Sequence, residues 1–214
     1  MTTVNTTHQT MNTVIHAAFR RTLARFDTAL GDFDTTAPER ARQLTAAWDM
    51  LAAELHHHHS YEEDIFWPVL QKLCPDLAMV EELDGEHDAM RAALDRADRS
   101  MQDFASAATP ESAQKARVAV GHLSDVLLNH LAHEERDLEP ISARYQETPE
   151  MKAATKTVIK SELGRLGQLI AWLQDGADDN DRRGLRKQIP DPVVFVANAV
   201  GGRRYRREIA PIWV

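Results

Sequence analysis

The sequence predicts an all-α fold: an antiparallel up-down four-helix bundle built from two similar helix pairs, with a C-terminal helical extension. Three observations predict it. Nine Gly and nine Pro in 214 residues are few for an all-β chain, and long Ala-, Leu-, Glu- and Arg-rich stretches favour helix. Apolar residues recur at spacings of three and four along four long segments. The segments also repeat: HHSYEEDIFWP and HLAHEERDLEP lie 72 residues apart, and IHAAFRRTL and EHDAMRAAL lie 71 apart. Two copies make two helix pairs and are too few for a solenoid.

The first helix is expected from about residue 8 to 30, stopping near Gly31. Thr36-Ala37-Pro38-Glu39 starts the second, with proline in the first turn. Its face carries Leu44, Trp48, Leu51, Leu55, His58, Glu62 and Ile65, and Pro68 closes or kinks it. Pro75-Asp76 opens the third, which carries His87, Met90, Leu94 and Met101. Thr109-Pro110-Glu111 caps the fourth, which carries Leu123, Val126, Leu127, His130, Glu134 and Leu138. A fifth helical segment is expected over roughly 149–175, with Val158, Leu163, Leu166, Ile170 and Leu173. DGADDNDRRG reads as a linker, VVFVANAV as a short apolar piece after Asp191-Pro192, and Gly201-Gly202 ends it. Short connections between helices of matched length give the up-down topology.

The formal charge of −8 argues against a general nucleic-acid binder. Residues 181–214 carry eight Lys/Arg and three Asp/Glu, for +5, while residues 1–180 carry 17 and 30, for −13. The basic tail could dock on the acidic body, on another subunit or on an anionic partner, and docking on its own body is the expectation. Val193, Phe195, Val196 and Trp213 call for an apolar partner, expected on the fifth helix. The lone cysteine, Cys74, permits no intramolecular disulfide or cysteine-based zinc site and reads as a half-buried structural thiol. MTTVNTTHQTMN lacks the pattern of a signal peptide, and no stretch of about 18 apolar residues exists to span a membrane. A reduced cytoplasmic setting is expected, with no membrane partner.

The repeat carries chemistry. Each copy supplies one His and then one His-x-x-x-Glu: His16 with His58 and Glu62, His87 with His130 and Glu134. Residues four apart share a helix face, and all six lie on apolar faces. A lone His-x-x-x-Glu is ordinarily a surface pair. Six such residues, duplicated on four inward faces, make an interior metal site. Buried carboxylates without partners are costly, and a pair of divalent ions would offset that charge. The nitrogen and oxygen donors, without thiolate, suit iron or manganese, and zinc less specifically.

Other residues flank these six. His57 and His59 point about 100° to either side of His58 and are expected to be solvated. His133 and its counterpart Tyr61 could relay protons or gate access; a boundary role is the plainer expectation. Glu63 and Glu135 could hydrogen-bond a ligand imidazole, but solvent is expected. Arg20 and Arg91 should counter acidic residues of adjacent helices. His8 and His122 should be peripheral.

The order, spacing and repeat resemble the hemerythrin-like proteins with an HHE cation-binding domain, over residues 8–144, leaving 145–214 as a helical extension packed on the bundle. The resemblance implies a non-haem di-iron centre that meets dioxygen. Its ligands would be His16, His58, Glu62, His87, His130 and Glu134, with Glu62 and Glu134 bridging and an oxo or hydroxo bridge or water. Oxygen-carrying hemerythrins use a fifth histidine, from a His-x-x-x-His pair on the third helix, and a His-x-x-x-x-Asp. Here Leu83 and Arg91 flank His87, and Glu134 follows His130 by four. The expectation is therefore a more open iron pair. It would react with dioxygen or peroxide, as an oxidase or oxygenase of a small organic substrate or as a peroxide-consuming enzyme. The alternatives are a sensor, store or carrier for oxygen, nitric oxide or iron, and, more weakly, a structural bundle with a zinc or other non-redox centre. Monomer and homodimer are equally compatible.

Overall fold

A computed structural model describes residues 10–33 and 38–213, and every element among them is helical. Four long helices surround the site: α1 (Met11–Gly31), α2 (Pro38–Tyr61), α4 (Met79–Ala107) and α5 (Pro110–Asp137). Each packs on two of the others, closing the ring α1–α2–α4–α5. His16 and Phe26 of α1 meet His58 and Trp48 of α2, so numbers rise along one helix as they fall along the other. The same reversal holds for α4 and α5, where His87 meets His130 and Arg96 meets His122.

Local signals explain the ends. Thr10 and Thr13 form a reciprocal capping box on α1, and Thr109 and Ser112 form another on α5. Ala108, at φ 47°, takes the left-handed conformation that ends α4. The expected start of α1 near residue 8, and Thr36-Ala37 before α2, lie outside the described residues. Pro75-Asp76 does not open α4; it forms a turn, and the helix begins at Met79.

Neither repeat proline ends its chain segment as a simple stop. Pro68 lies in the first turn of α3 (Trp67–Leu73) and Pro140 in the first turn of α6 (Glu139–Tyr145), and the chain stays helical through both. Between α2 and α3 the helix widens into a π turn, Glu62–Phe66, in which the Trp67 N–H bonds the Glu62 carbonyl. The buried stripe therefore passes from Glu62 to Trp67, and Ile65, expected on it, is only half-buried.

The core between the long helices is built on Phe19, Phe26, Leu44, Trp48, Met101 and Phe104. A second cluster around Trp67, Leu70, Leu83, Leu138 and Met151 seals the end holding the short helices. The expected fifth segment is two helices, α7 (Pro149–Glu162) and α8 (Leu166–Gln174), broken at residues 163–165, which leaves Leu163 exposed. The expected linker is largely α9 (Asp179–Gln188), because Asp178 caps it by accepting from the Asp181 N–H. α10 (Asp191–Val200), α11 (Arg203–Glu208) and a 3₁₀ turn (Ala210–Trp213) follow.

The extension is anchored on the body through α7, α8, α9 and the final turn. Trp172 packs edge-on against Phe19, with centroids 5.1 Å apart, and its Nε1–H donates to Thr22 Oγ1 at 2.9 Å. Trp213 finds its apolar partner in Phe26. The charge pattern differs from expectation: the cations at this contact belong to the body, where Arg21 pairs with Asp181 and Arg25 with Asp175. Val193, Phe195 and Val196 are not covered, because α10 turns only Val194 inward. Cys74 is half-buried. No described helix is long and apolar enough to cross a membrane.

Candidate metal centre

All six residues expected from the repeat are buried and meet in one interior. With His59 they form two groups, the donor atoms of each lying within 4.8 Å of one another: His16, His58, Glu62 and Glu134; and His59, Glu62, His87 and His130. Glu62 belongs to both. Its Oε1 lies 3.3 Å from His58 Nε2 and its Oε2 lies 3.6 Å from His87 Nε2. Glu134 is less symmetric, with Oε2 3.3 Å from His16 Nε2 and 3.9 Å from His130 Nε2.

His59 corrects the sequence reading. It is buried rather than solvated, and its ring stacks near His87 with centroids 4.2 Å apart. A fifth buried imidazole thus joins the two groups, and it comes from the second helix rather than from a position beside His87. A signal existed in the repeat. The counterpart of His59 is Leu131, a fully buried core residue, so this register faces inward in both copies.

The outer ring nitrogens are held by carboxylates, which fixes ring orientation and leaves Nε2 facing inward. His16 Nδ1 bonds Glu135 at 2.9 Å, His87 Nδ1 bonds Glu63 at 2.5 Å and His130 Nδ1 bonds Glu86 at 2.9 Å. Glu63 and Glu135 are therefore bonded to imidazoles while remaining partly exposed, at 26% and 27%. The wiring crosses the repeat. Arg20 clamps Glu135 beside His16 at 2.7 Å, and Arg91 clamps Glu63 beside His87 at 2.6 Å. Glu86 was invisible in the sequence pattern, because it comes from the adjacent helix and precedes His87 rather than a His-x-x-x-Glu. Its second oxygen takes His133 Nδ1 at 2.8 Å, which places His133 outside both groups. Tyr61 also points away and donates to Glu162 at 2.6 Å. His56 is exposed, His57 bonds Arg165, and His122 meets Arg96 at the surface. His8 lies outside the described residues.

The electrostatics fit a cation. Burial, reinforced by neighbouring imidazoles, pushes His58 and His59 well below the ordinary histidine value, leaving neutral rings. Burial and the charge of Glu134 push Glu62 well above the carboxylate range. Burial opposes charge on Glu134 too, but His16 beside it outweighs burial and holds Glu134 low. His16 itself is lowered by burial and raised more strongly by Glu134 and Glu135, to about 9. Both oxygens of Glu62, Oε2 of Glu134 and Nε2 of His59 are buried without a hydrogen-bond partner. Each such atom costs about 1–3 kcal/mol, and a metal ion would satisfy them. The imidazole and carboxylate donors, with no thiolate, match that role.

A cavity of about 550 Å³ opens beside the first group. His58, Glu62 and Glu134 form part of its wall, and Phe66, Leu166 and Trp172 contribute to its apolar lining.

Comparison with curated proteins and with solved structures finds no match. A family model described as the hemerythrin HHE cation binding domain matches residues 11–142. That span holds the four-helix ring and both donor groups, and the chain belongs to the hemerythrin HHE cation-binding family.

Proposed function

We propose that the protein is a non-haem di-iron redox enzyme that acts with dioxygen or peroxide on a small organic substrate or on peroxide itself. The ring of long helices is read as an antiparallel up-down bundle, residues 8–144, with 145–214 as its extension. His16, His58 and Glu134 would hold one iron, His59, His87 and His130 the other, and Glu62 would bridge. Bound iron would supply the redox chemistry. The protein's own groups do the rest. Glu135, Glu63 and Glu86 keep three Nδ1–H bonds engaged, so that Nε2 faces the metal. Arg20 and Arg91 hold the outer carboxylates ionised. Trp67 stacks on His87 at 4.6 Å and shields that side from water.

The observation that carries the catalytic reading is the cavity. A sensor or store needs the same ligands but no substrate chamber, whereas a volume of about 550 Å³ lies in the range of small-molecule sites. Its walls come from the extension as well as the bundle, with Leu166, Leu169 and Trp172 closing over His58 and Glu62. The lone Cys74 supports a reduced, cytoplasmic setting.

The uncovered face of α10 favours a second reading, in which a sensor for oxygen, nitric oxide or iron uses the extension as an output surface. One experiment separates the readings. Protein expressed in iron-replete medium should hold about two irons, one per donor group. After reduction, it should consume peroxide or oxidise small organic probes over many turnovers. A spectrum that only cycles reversibly with oxygen would support the sensor, and metal-free or zinc-only protein would overturn both.

A further inference from the structure

The extension carries a face that nothing in the described protein covers. On α10, Val193, Phe195, Val196 and Val200 are 43%, 74%, 59% and 76% exposed, with Pro192 also outward. The helix cannot simply roll to bury them. Gly167 of α8 meets Gly201 so closely that a Cβ on Gly167 would lie 2.4 Å from the Gly201 Cα, and Val194 occupies the inward side. A contiguous outward apolar face of this kind marks an interaction surface.

Its surroundings are cationic. Residues 182–208 hold eight Lys/Arg and two Asp/Glu, for +6. Arg182, Arg183, Arg186 and Lys187 precede α10, Arg203, Arg204, Arg206 and Arg207 follow it, and all eight are exposed. The hydrogen bonds found for them among the described residues stay inside the extension. Arg204 and Arg207 meet Glu208, Arg206 meets Asn198, and Arg183 meets Asn180. The acidic body therefore does not neutralise this charge.

We propose that α10 and its flanking cations dock the protein on an anionic lipid bilayer. The apolar face would rest at the boundary between headgroups and acyl chains, and the arginines would meet lipid phosphates. An exposed apolar helix with exposed cations before and after it in the chain matches the chemistry of an anionic lipid surface. This is not a span: α10 has ten residues, about half of what a crossing helix needs. It revises the expectation that no membrane is engaged. Ile189, next to the α10 cap residue Pro190, lines the cavity beside the metal groups, so docking would bring part of the cavity wall close to the lipid.

The test is co-sedimentation of the full chain with vesicles of phosphatidylcholine alone or mixed with phosphatidylglycerol. Binding should need phosphatidylglycerol and weaken at high salt. Exposed residues should be replaceable without loss of fold, checked by the melting curve. Phe195→Asp with Val196→Asp, and separately Arg203→Gln with Arg204→Gln and Arg207→Gln, should each cut partitioning by roughly tenfold or more. Three results would overturn the proposal. One is wild-type protein remaining in the supernatant with anionic vesicles at low salt. Another is variants that bind as well as wild type. The third is a concentration-dependent dimer that the Phe195/Val196 variant abolishes.

Discussion

Replacing His59 by Leu should have opposite effects on the metal-free and metal-loaded protein. Leu is the residue that the second copy uses at this register, as the fully buried Leu131, so the helix surface accommodates its shape. In the metal-free protein, His59 Nε2 is buried without a partner, and its removal relieves about 1–3 kcal/mol. The lost ring contact with His87, at 4.2 Å, returns about 0.5–1.5 kcal/mol of that. The net is a stabilisation of roughly 1 kcal/mol, or about 2–4 °C in melting temperature for a chain of this size. In the loaded protein the second group falls from four donors to three. Metal content should drop toward one ion per chain, with the His16, His58, Glu62 and Glu134 group still filled. Metal analysis after dialysis, together with melting curves with and without chelator, reads both effects. A variant that keeps two ions at wild-type affinity would refute the placement of His59 in the centre. Unchanged or lower metal-free stability would refute the unsatisfied nitrogen.

Three further outcomes follow from the geometry. Glu62→Ala should empty both positions, because Glu62 alone belongs to both groups, whereas Glu134→Ala should deplete chiefly the position of His16 and His58; equal loss in the two variants, by metal counting, would restore a symmetric bridge. In the metal-free protein His16 is raised from 6.5 to about 9. Its protonated form therefore favours the fold fully below pH 6.5, and that contribution fades as pH rises through about 9. Metal uptake must expel the same proton, so affinity should climb about tenfold per proton per pH unit up to that point and then flatten; titrations in weak buffer should show acid release, and a flat affinity from pH 7 to 9 would contradict the assignment. Gly167→Ala should loosen the seat of α10 on α8, where the new Cβ would lie 2.4 Å from the Ala197 carbonyl oxygen; the expected cost is about 1–3 kcal/mol, with faster proteolysis of the extension and bound metal retained.

Read alone, the sequence determined what short-range periodicity can determine. Four residues make about one helical turn, so His58 with Glu62 and His130 with Glu134 had to share faces, and the apolar stripe had to turn those faces inward. The duplication added His16 and His87, and a helical fold built around a cation site followed. The extension was legible as helix but not in its packing: Val193, Phe195 and Val196 were expected to be buried and stay outside.

Tertiary structure decided what depends on the rotation of one helix against another. His59 enters the centre because α2 buries two adjacent positions there, and the π turn after Glu62 places Trp67 on His87. Glu135 reaches His16 from α5 to α1, Glu63 reaches His87 from the π turn to α4, and Glu86 reaches His130 from α4 to α5. No spacing rule within one helix encodes such partners, because the helices that supply them meet only after the core has set their register. The donor types and their local pairing were thus written along the chain. The fifth imidazole, the carboxylate clamps and the cavity arose only when the helices closed around them.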